Sequence, residues 1–241
     1  MNQHVTVLIP AYNTEAYIGQ AIKSVLAQSY KDFDVLVVDD GSTDSTSSVV
    51  TDFIRTDHPV SLLQIPKNSG VTNATHLGIL SAQGPVITIV DSDDTIFPHS
   101  LKLGVAPFKD SSVGFVWTKF QKSQGSVGWS RALPEGKSLW QAMMYHKWWN
   151  ASHQRFFRKA TYEQGIPLNV NIKRSSDYQF VLLLGLSGCK TMHIPAVTYW
   201  YRTRRQGSIT SQGPHLQRAA VQEIKKWVLK EMGKRGIGEP S

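Results

Sequence analysis

The chain has almost no cysteine. Cys189 is the only one in 241 residues, so no internal disulfide can form, which fits a reducing compartment. Cys189 also lacks Cys or His neighbours at metal-ligand spacing, so it is expected to be a buried structural thiol and not a nucleophile. Long apolar runs are missing too. The longest, residues 180–186, falls far short of the roughly 20 residues that a bilayer span needs. The first residues, Met1-Asn2-Gln3-His4, supply neither a basic nor an apolar signal region, so no signal peptide is expected and a cytoplasmic location is. Acidic residues are outnumbered: 18 Asp and Glu stand against 26 Lys and Arg, for a formal net charge of +8 and a pI near 9.5. That balance favours an anionic partner (nucleotide phosphate, acidic glycan, anionic lipid or nucleic acid) without choosing among them. With 41% hydrophobic and 18% charged residues, the chain has the material for a packed core.

Apolar, β-branched runs at residues 5–9, 35–38, 62–65 and 86–90 read as short buried strands. Helical spacing fills the gaps. Ile18, Ala21, Ile22, Val25 and Leu26 recur within residues 14–29, behind a cap at Asn13 or Thr14. Val49, Val50, Phe53 and Ile54 follow a start at Ser42-Thr43-Asp44, and a third helix covers about residues 71–82. Such alternation predicts an α/β fold with a single Rossmann-like, mostly parallel central sheet flanked by helices on both faces. The second half is less regular. Residues 113–117 read as a strand, 121–128 as a loop or hairpin, 138–146 as a helix and 155–157 as a short strand. A helix over 177–186 ends at Gly188, 197–202 alternates as an aromatic strand, and 214–235 reads as a last helix. No composition shift cuts the chain, so one domain is expected over residues 1–241.

In such a sheet the ligand sits beyond the carboxyl ends of the strands. Those ends read Pro10-Ala11-Tyr12-Asn13, Asp39-Asp40-Gly41-Ser42, Pro66-Lys67-Asn68-Ser69-Gly70 and Asp91-Ser92-Asp93-Asp94. The last packs three carboxylates into four residues. Like charges so close raise one another's pKa unless something offsets them, and the usual offset is a hard divalent cation with oxygen ligands. Asp also favours turns and helix N-caps, so a solvated turn would explain one acidic cluster. Two clusters at one sheet edge repel each other without a shared partner, which turn chemistry alone does not supply.

Pro10-Ala11-Tyr12-Asn13, Val38-Asp39-Asp40-Gly41-Ser42-Thr43-Asp44, Asn68-Ser69-Gly70 and Asp91-Ser92-Asp93-Asp94 together resemble the family 2 inverting glycosyltransferases with the GT-A fold. Ser176-Asp177-Tyr178 and the stretch from Tyr201-Arg202 to Ser208-Ile209-Thr210 match more loosely. The resemblance implies inverting transfer of a sugar from a nucleotide-diphosphate sugar, a UDP-sugar by preference. The acceptor would be a hydroxyl on a glycan or lipid-linked sugar, in cell-surface polysaccharide or glycoconjugate assembly. It divides the chain into a nucleotide-sugar-binding half (1–110), a smaller acceptor and catalytic half (111–213), and a C-terminal helix and tail (214–241). It implies a divalent cation, Mn2+ or Mg2+, on Asp93 with help from Asp91. Tyr12 would flank the base, Asp39 would accept from the imide N–H of uracil or thymine, and Asp91 would hold the ribose. Pro10, Ala11, Asn13, Asn68, Gly70 and Ser92 would complete the donor site. Asp177 would be the base that deprotonates the acceptor, and Asp94 is left without a role.

The match departs in three places. Ser176 replaces the glutamate of the family's Glu-Asp pair, and Thr75-His76 replaces an Arg-Asn pair. Arg204 stands where a late histidine helps bind metal or diphosphate. A cation cannot ligate a metal, so Arg202, Arg204 or Arg205 is expected to neutralise the diphosphate directly. Elsewhere, Trp148-Trp149 reads as an acceptor platform or as packing, Met143-Met144 as core or lid filler, and His153 and His193 as structural histidines. The last helix carries an apolar stripe of Leu216, Ala220, Ile224, Trp227 and Val228, with Arg218, Lys225, Lys226, Lys230 and Lys234 mostly elsewhere. It either docks on the domain or makes peripheral contact with an anionic membrane. Two other functions compete: a sugar-phosphate nucleotidylyltransferase, whose Gly-rich pyrophosphate loop is absent here, and a non-catalytic nucleotide-sugar binder. Nucleic acid is not an expected partner, because basic and aromatic residues are not interleaved and the acidic strand ends repel a phosphate backbone.

Overall fold

The computed structural model describes residues 3–56, 58–128, 130–145, 151, 153–203 and 214–240. The apolar runs of the first half form β1 (Val5–Ala11), β2 (Phe33–Asp39), β3 (Val60–Gln64) and β4 (Val86–Ile89), all paired in parallel. The crossovers are α1 (Ile18–Leu26), α2 (Thr46–Ile54) and α3 (Val71–Ser81). β1 is buried along its whole length, which is why its sequence is continuously apolar. Its alternate residues feed two cores. Val5, Val7 and Ile9 pack with α1 and α2, and Leu8 packs with α3 on the other face.

The second half extends the same sheet. Its elements are β5 (Thr95–Ile96), α4 (Ser100–Val105), β6 (Val113–Lys122), α5 (Leu139–Tyr145) and β7 (Arg155–Arg158). After them come α6 (Lys159–Glu163), α7 (Ser176–Leu186), β8 (Lys190–Tyr201) and α8 (Pro214–Arg235). The strand order is β3-β2-β1-β4-β7-β6-β8-β5. β7 runs antiparallel to β4 and β6, β8 runs parallel to β6, and β5 closes the edge antiparallel to β8. The expected mostly parallel sheet is therefore present, and each of its antiparallel pairs involves a strand that follows β4.

Several bounds differ from the sequence reading, for physical reasons. α1 begins at Ile18, after a turn in which Tyr17 N–H and Ile18 N–H both donate to Thr14 O at 2.9 Å. β8 begins seven residues before the expected 197, and Pro195 sits where the β6–β8 register shifts, between the His193 and Val197 pairs. β5, α4 and α6 are too short for periodicity to announce them. Of the two readings of residues 121–128, loop or hairpin, the structure has the hairpin, closed by Lys122 N–H to Ser126 O at 2.8 Å. Trp148, Trp149, Arg204, Arg205 and residues 208–210 lie outside the described residues.

Of the two readings of the last helix, the structure has the docked one. Ala220, Ile224, Val228 and Met232 are buried, and Trp227 packs against the same core. Leu216 does not join them, being 36% exposed. Among the described residues, no helix is long and apolar enough to cross a membrane.

The two cores are dense where α4 crosses β7. A Cβ added at Gly104 would lie 2.1 Å from the Phe156 ring, and Phe156 is fully buried. Gly104→Ala is therefore expected to lower stability by about 1–3 kcal/mol through overpacking. Denaturant unfolding reads this, and an unchanged midpoint would show that the contact is looser than described.

Candidate functional site

The carboxyl edge is held together by side-chain caps between neighbouring loops. Asn13 sits in the left-handed region, with φ 49, which asparagine tolerates better than most residues. From there its Oδ1 accepts from Thr43 N–H at 2.8 Å, and its N–H donates to Ser42 Oγ at 3.0 Å. Asp44 and Glu15 exchange the same favour: Glu15 N–H donates to Asp44 Oδ2 at 3.1 Å, and Ser45 N–H donates to Glu15 Oε2 at 2.8 Å. Gly41 lets the second loop reach the third. It has φ 71, and a Cβ there would lie 2.8 Å from the Asn68 backbone nitrogen.

Asp39 and Asp40 end β2 and its loop, both 2% exposed, with different partners. Asp39 accepts from Ser42 N–H at 3.0 Å and from the Ser47 hydroxyl, and it stays out of the cleft lining. Asp40 accepts from Ser69 N–H at 2.9 Å, Ser69 Oγ–H at 2.7 Å and Gly70 N–H at 2.7 Å. It thereby fixes the loop that opens α3. Lys173 closes the same loop from above, donating to Ser69 O at 2.7 Å.

The acidic loop after β4 is clamped by β8. Tyr199 Oη accepts from Asp91 N–H at 3.0 Å and donates to Asp94 Oδ2 at 2.7 Å. Arg202 N–H donates to Asp94 Oδ1 at 2.7 Å. Burial first, and then the charge of Asp91, push the Asp94 carboxyl up to about 8. Asp94 is 1% exposed and lies outside the cleft, whereas Asp91 and Asp93 line it.

The cleft has a volume of about 1150 Å³. From the expected set it gathers Pro10, Ala11, Tyr12, Asn68, Gly70, Asp91, Ser92, Asp93 and Asp177. Asn13, Asp39 and Arg202 are not in its wall, and Arg204 falls outside the described residues. Arg202 turns its guanidinium elsewhere. Nε donates to Asp93 O at 2.8 Å, Nη2 donates to Gln20 Oε1 at 2.9 Å, and the group lies over the rings of Tyr17 and Trp200. Tyr12 is 42% exposed at the rim, an open aromatic face free of core duty.

Asp177 enters the cleft on the first turn of α7. Ser175, just before it, is left-handed with φ 54, and its hydroxyl donates to Gln217 Oε1 of α8 at 2.6 Å. A left-handed residue braced from another element thus lies two positions before Asp177. α8 is thus a wall of the cleft, contributing Gln217, Arg218 and Lys225 among others.

Sequence reasoning missed Asp40, Lys173, the α8 wall, and a pair at the start of β7. His153 reads as structural from sequence but lines the cleft, with Nε2 3.7 Å from Asp91 Oδ2. Its ring stacks on Tyr199 at 4.7 Å and on Tyr201 at 5.6 Å between centroids. Burial, and then the positive charge of Arg155, push it down to about 3 against the field of Asp177. No local spacing rule links residue 153 to residue 91; only the β4–β7 pairing does. His193, by contrast, packs on Trp117 at 5.5 Å as a structural histidine.

The donor set suits a hard divalent cation. Asp91 and Asp93 offer carboxylate oxygens on one loop, while no group of three His, Cys, Asp or Glu side chains forms a ready cage among the described residues. One or two carboxylates completed by phosphate oxygens and water is how Mg2+-like ions are bound beside nucleotides.

Comparison with known proteins follows the same lines. The family model for glycosyl transferase family 2 matches residues 6–167. Chondroitin synthase of Escherichia coli is 29% identical over 201 residues, 81% of this chain and 28% of that protein. Among solved structures, S. aureus TarS 1-349 in complex with UDP-GlcNAc superposes with a TM-score of 0.71 at 22% identity, over 93% of this chain and 65% of that one. Mannosyltransferase PcManGT from Pyrobaculum calidifontis, in complex with GDP-Man and Mn2+, gives 0.65 at 20% identity, over 86% and 59%. At these identities the likeness to solved structures is one of fold, the GT-A arrangement. The chain spans between 17% and 39% of the length of the curated relatives it matches.

Asp40 offers a direct check on this architecture. In Asp40→Asn the amide nitrogen cannot accept, so one buried N–H of the residue 68–70 loop loses its partner. The expected cost is about 1–3 kcal/mol in denaturant unfolding. A change within experimental error would mean that the loop is held by other groups.

Proposed function

The chain belongs to glycosyl transferase family 2, and on that premise we propose that it transfers a sugar, with inversion, from a nucleotide-diphosphate sugar to an acceptor hydroxyl. The observation that carries the reading is that one cleft joins Tyr12, Asp91 and Asp93 from the sheet edge to Asp177 from α7. The proposed donor is a UDP-sugar, and the proposed acceptor is a glycan or lipid-linked sugar. The TarS complex with UDP-GlcNAc, on the same fold, supports the donor class.

In this reading Tyr12 stacks on the base, and the residue 68–70 loop, pinned by Asp40, borders it. Asp39 accepts from Ser42 and Ser47 and is 2% exposed, so for it to meet a base imide the loop around it must open. Asp91 faces the ribose and, with Asp93, the diphosphate. A divalent cation held by Asp93 and Asp91 would supply Lewis-acid stabilisation of the leaving group. Asp177 accepts the proton as the acceptor oxygen attacks the anomeric carbon from the face opposite the nucleotide. The two α7–α8 supports, Ser175 and Gln217, hold that carboxylate in line, and alignment is a large share of the barrier reduction. Oxocarbenium character develops at the anomeric carbon, as in glycoside hydrolysis, and a single in-line displacement inverts it.

Asp177→Asn is expected to lower kcat by about 10²–10⁴ while leaving UDP affinity and thermal stability unchanged. Near-normal turnover by a folded variant would remove Asp177 from the role of base. For Asp93→Ala, calorimetric titration with UDP is expected to give the same affinity with Mn2+ as with EDTA. A retained Mn2+ enhancement would place the cation elsewhere.

A further inference from the structure

Of the arginines expected at the diphosphate, Arg202 turns away, but another cation lines the cleft. Arg155 opens β7 and pairs with Ile89, which places it beside the strand end that carries Asp91. It is 5% exposed, it borders the cleft, and its Nε has no hydrogen-bond partner. A buried guanidinium with an unmatched N–H is costly unless a ligand completes it.

Its side-chain neighbour His153 is informative. Arg155 Nη2 lies 3.3 Å from His153 Nδ1. A guanidinium only donates, so Nδ1 accepts and the ring proton belongs on Nε2. That Nε2 points toward Asp91 Oδ2, 3.7 Å away. Stacking on Tyr199 and Tyr201 prevents the ring from swinging out. One charged and one neutral N–H donor therefore share the stretch of cleft that holds Asp91 and Asp177. The unmatched Arg155 Nε–H remains for an anion that enters the cleft.

We propose that Arg155, held in place by His153, is the catalytic cation that takes up negative charge on the departing diphosphate. The proposal rests on the reading of the cleft as a sugar-transfer site. As the acceptor oxygen bonds to the anomeric carbon, the bond from that carbon to the terminal phosphate oxygen breaks. The electron pair stays on that oxygen, and the acceptor proton passes to Asp177. The nucleotide leaves with one more negative charge than it carried as a sugar ester. A fixed guanidinium interacts more strongly with that state than with the bound donor, so it lowers the barrier and does more than tighten binding. His153 acts through Arg155 as a positioning residue.

The test uses the full chain with Arg155→Gln, Arg155→Lys and His153→Gln. Calorimetry measures UDP and UMP binding, each in EDTA and in Mn2+, with thermal melts as a check on folding. Arg155→Gln is expected to weaken UDP about tenfold to hundredfold in both conditions, and UMP much less. Its kcat is expected to fall more than its KM rises. Arg155→Lys should recover part of both losses, and His153→Gln should show a smaller loss in the same direction. Equal weakening of UDP and UMP, or unchanged UDP affinity, overturns the proposal. If Arg155→Gln does not fold, unchanged UDP affinity in the other two variants overturns it equally. Wild-type protein that binds no nucleoside diphosphate would instead overturn the sugar-transfer reading itself; normal wild-type turnover with unaffected variants removes only the role of Arg155.

Discussion

A parallel sheet that ends in carboxylates must find a donor for every one it buries, because an unmatched buried charge costs more than most single contacts return. This chain meets that constraint at Asp39, Asp40 and Asp94, each nearly inaccessible and each partnered. The partners are chiefly backbone N–H groups of the loops themselves, so satisfying the carboxyl oxygens and shaping the edge are the same event. Asp40 draws Ser69 and Gly70 into place, Asp39 curls Ser42 back, and Asp94 seizes the end of β8. What remains facing the cleft is Asp91 and Asp93. The acidic motif is thus divided by burial: one carboxyl serves the fold so that two can serve a ligand.

The clamp on Asp94 also ties the two halves of the molecule together. Tyr199 touches both Asp91 and Asp94 while stacking on His153, and His153 in turn is approached by Arg155. The wall built by the second half is therefore not a separate appendage to the first. A shift in β8 would move the acidic loop, the imidazole and the guanidinium as a unit. α8 extends the same logic to Asp177, whose helix start is braced through Ser175 and Gln217.

The first half was legible because its signals are local. Five-residue apolar runs, helical spacing and polar strand ends report burial and edge position directly, and β1, β2, β4 and α3 lie close to where those signals put them. Asp93 and Asp177, singled out by their motifs, line the cleft. The rest was not legible because it depends on pairing between distant strands. Nothing near residue 153 reports that β7 will lie against β4, and nothing in Arg202 reports that Gln20 and Tyr17 will hold it. The stripe of α8 announced an apolar face but not its use, since a docked helix and a membrane-surface helix share that pattern. Asp39 and Asp40 differ by one position, and the strand pleat, not residue type, decides which borders the cleft.

The charges along the cleft bear on why a cation belongs there at all. Among the described residues that line it, Asp40, Asp91, Asp93 and Asp177 face Arg155, Lys173, Arg218 and Lys225, four acids against four bases. The chain's net charge of +8 therefore does not reside in its cleft; α8 alone turns Lys226, Lys230 and Lys234 outward. A diphosphate entering a wall of balanced charge gains little from the overall field and would sit beside two carboxylates. Lys173 and Lys225 are already drawn to the backbone oxygens of Ser69 and Met144. Arg155 supplies a single positive charge, which answers the charge that appears during transfer but not the charge the donor brings with it. A divalent cation on Asp91 and Asp93 matches that second demand. In the proposed reading the two would act together: a divalent cation on Asp91 and Asp93 would offset the charge of the bound diphosphate and of the leaving group, and the buried guanidinium would add to the second effect.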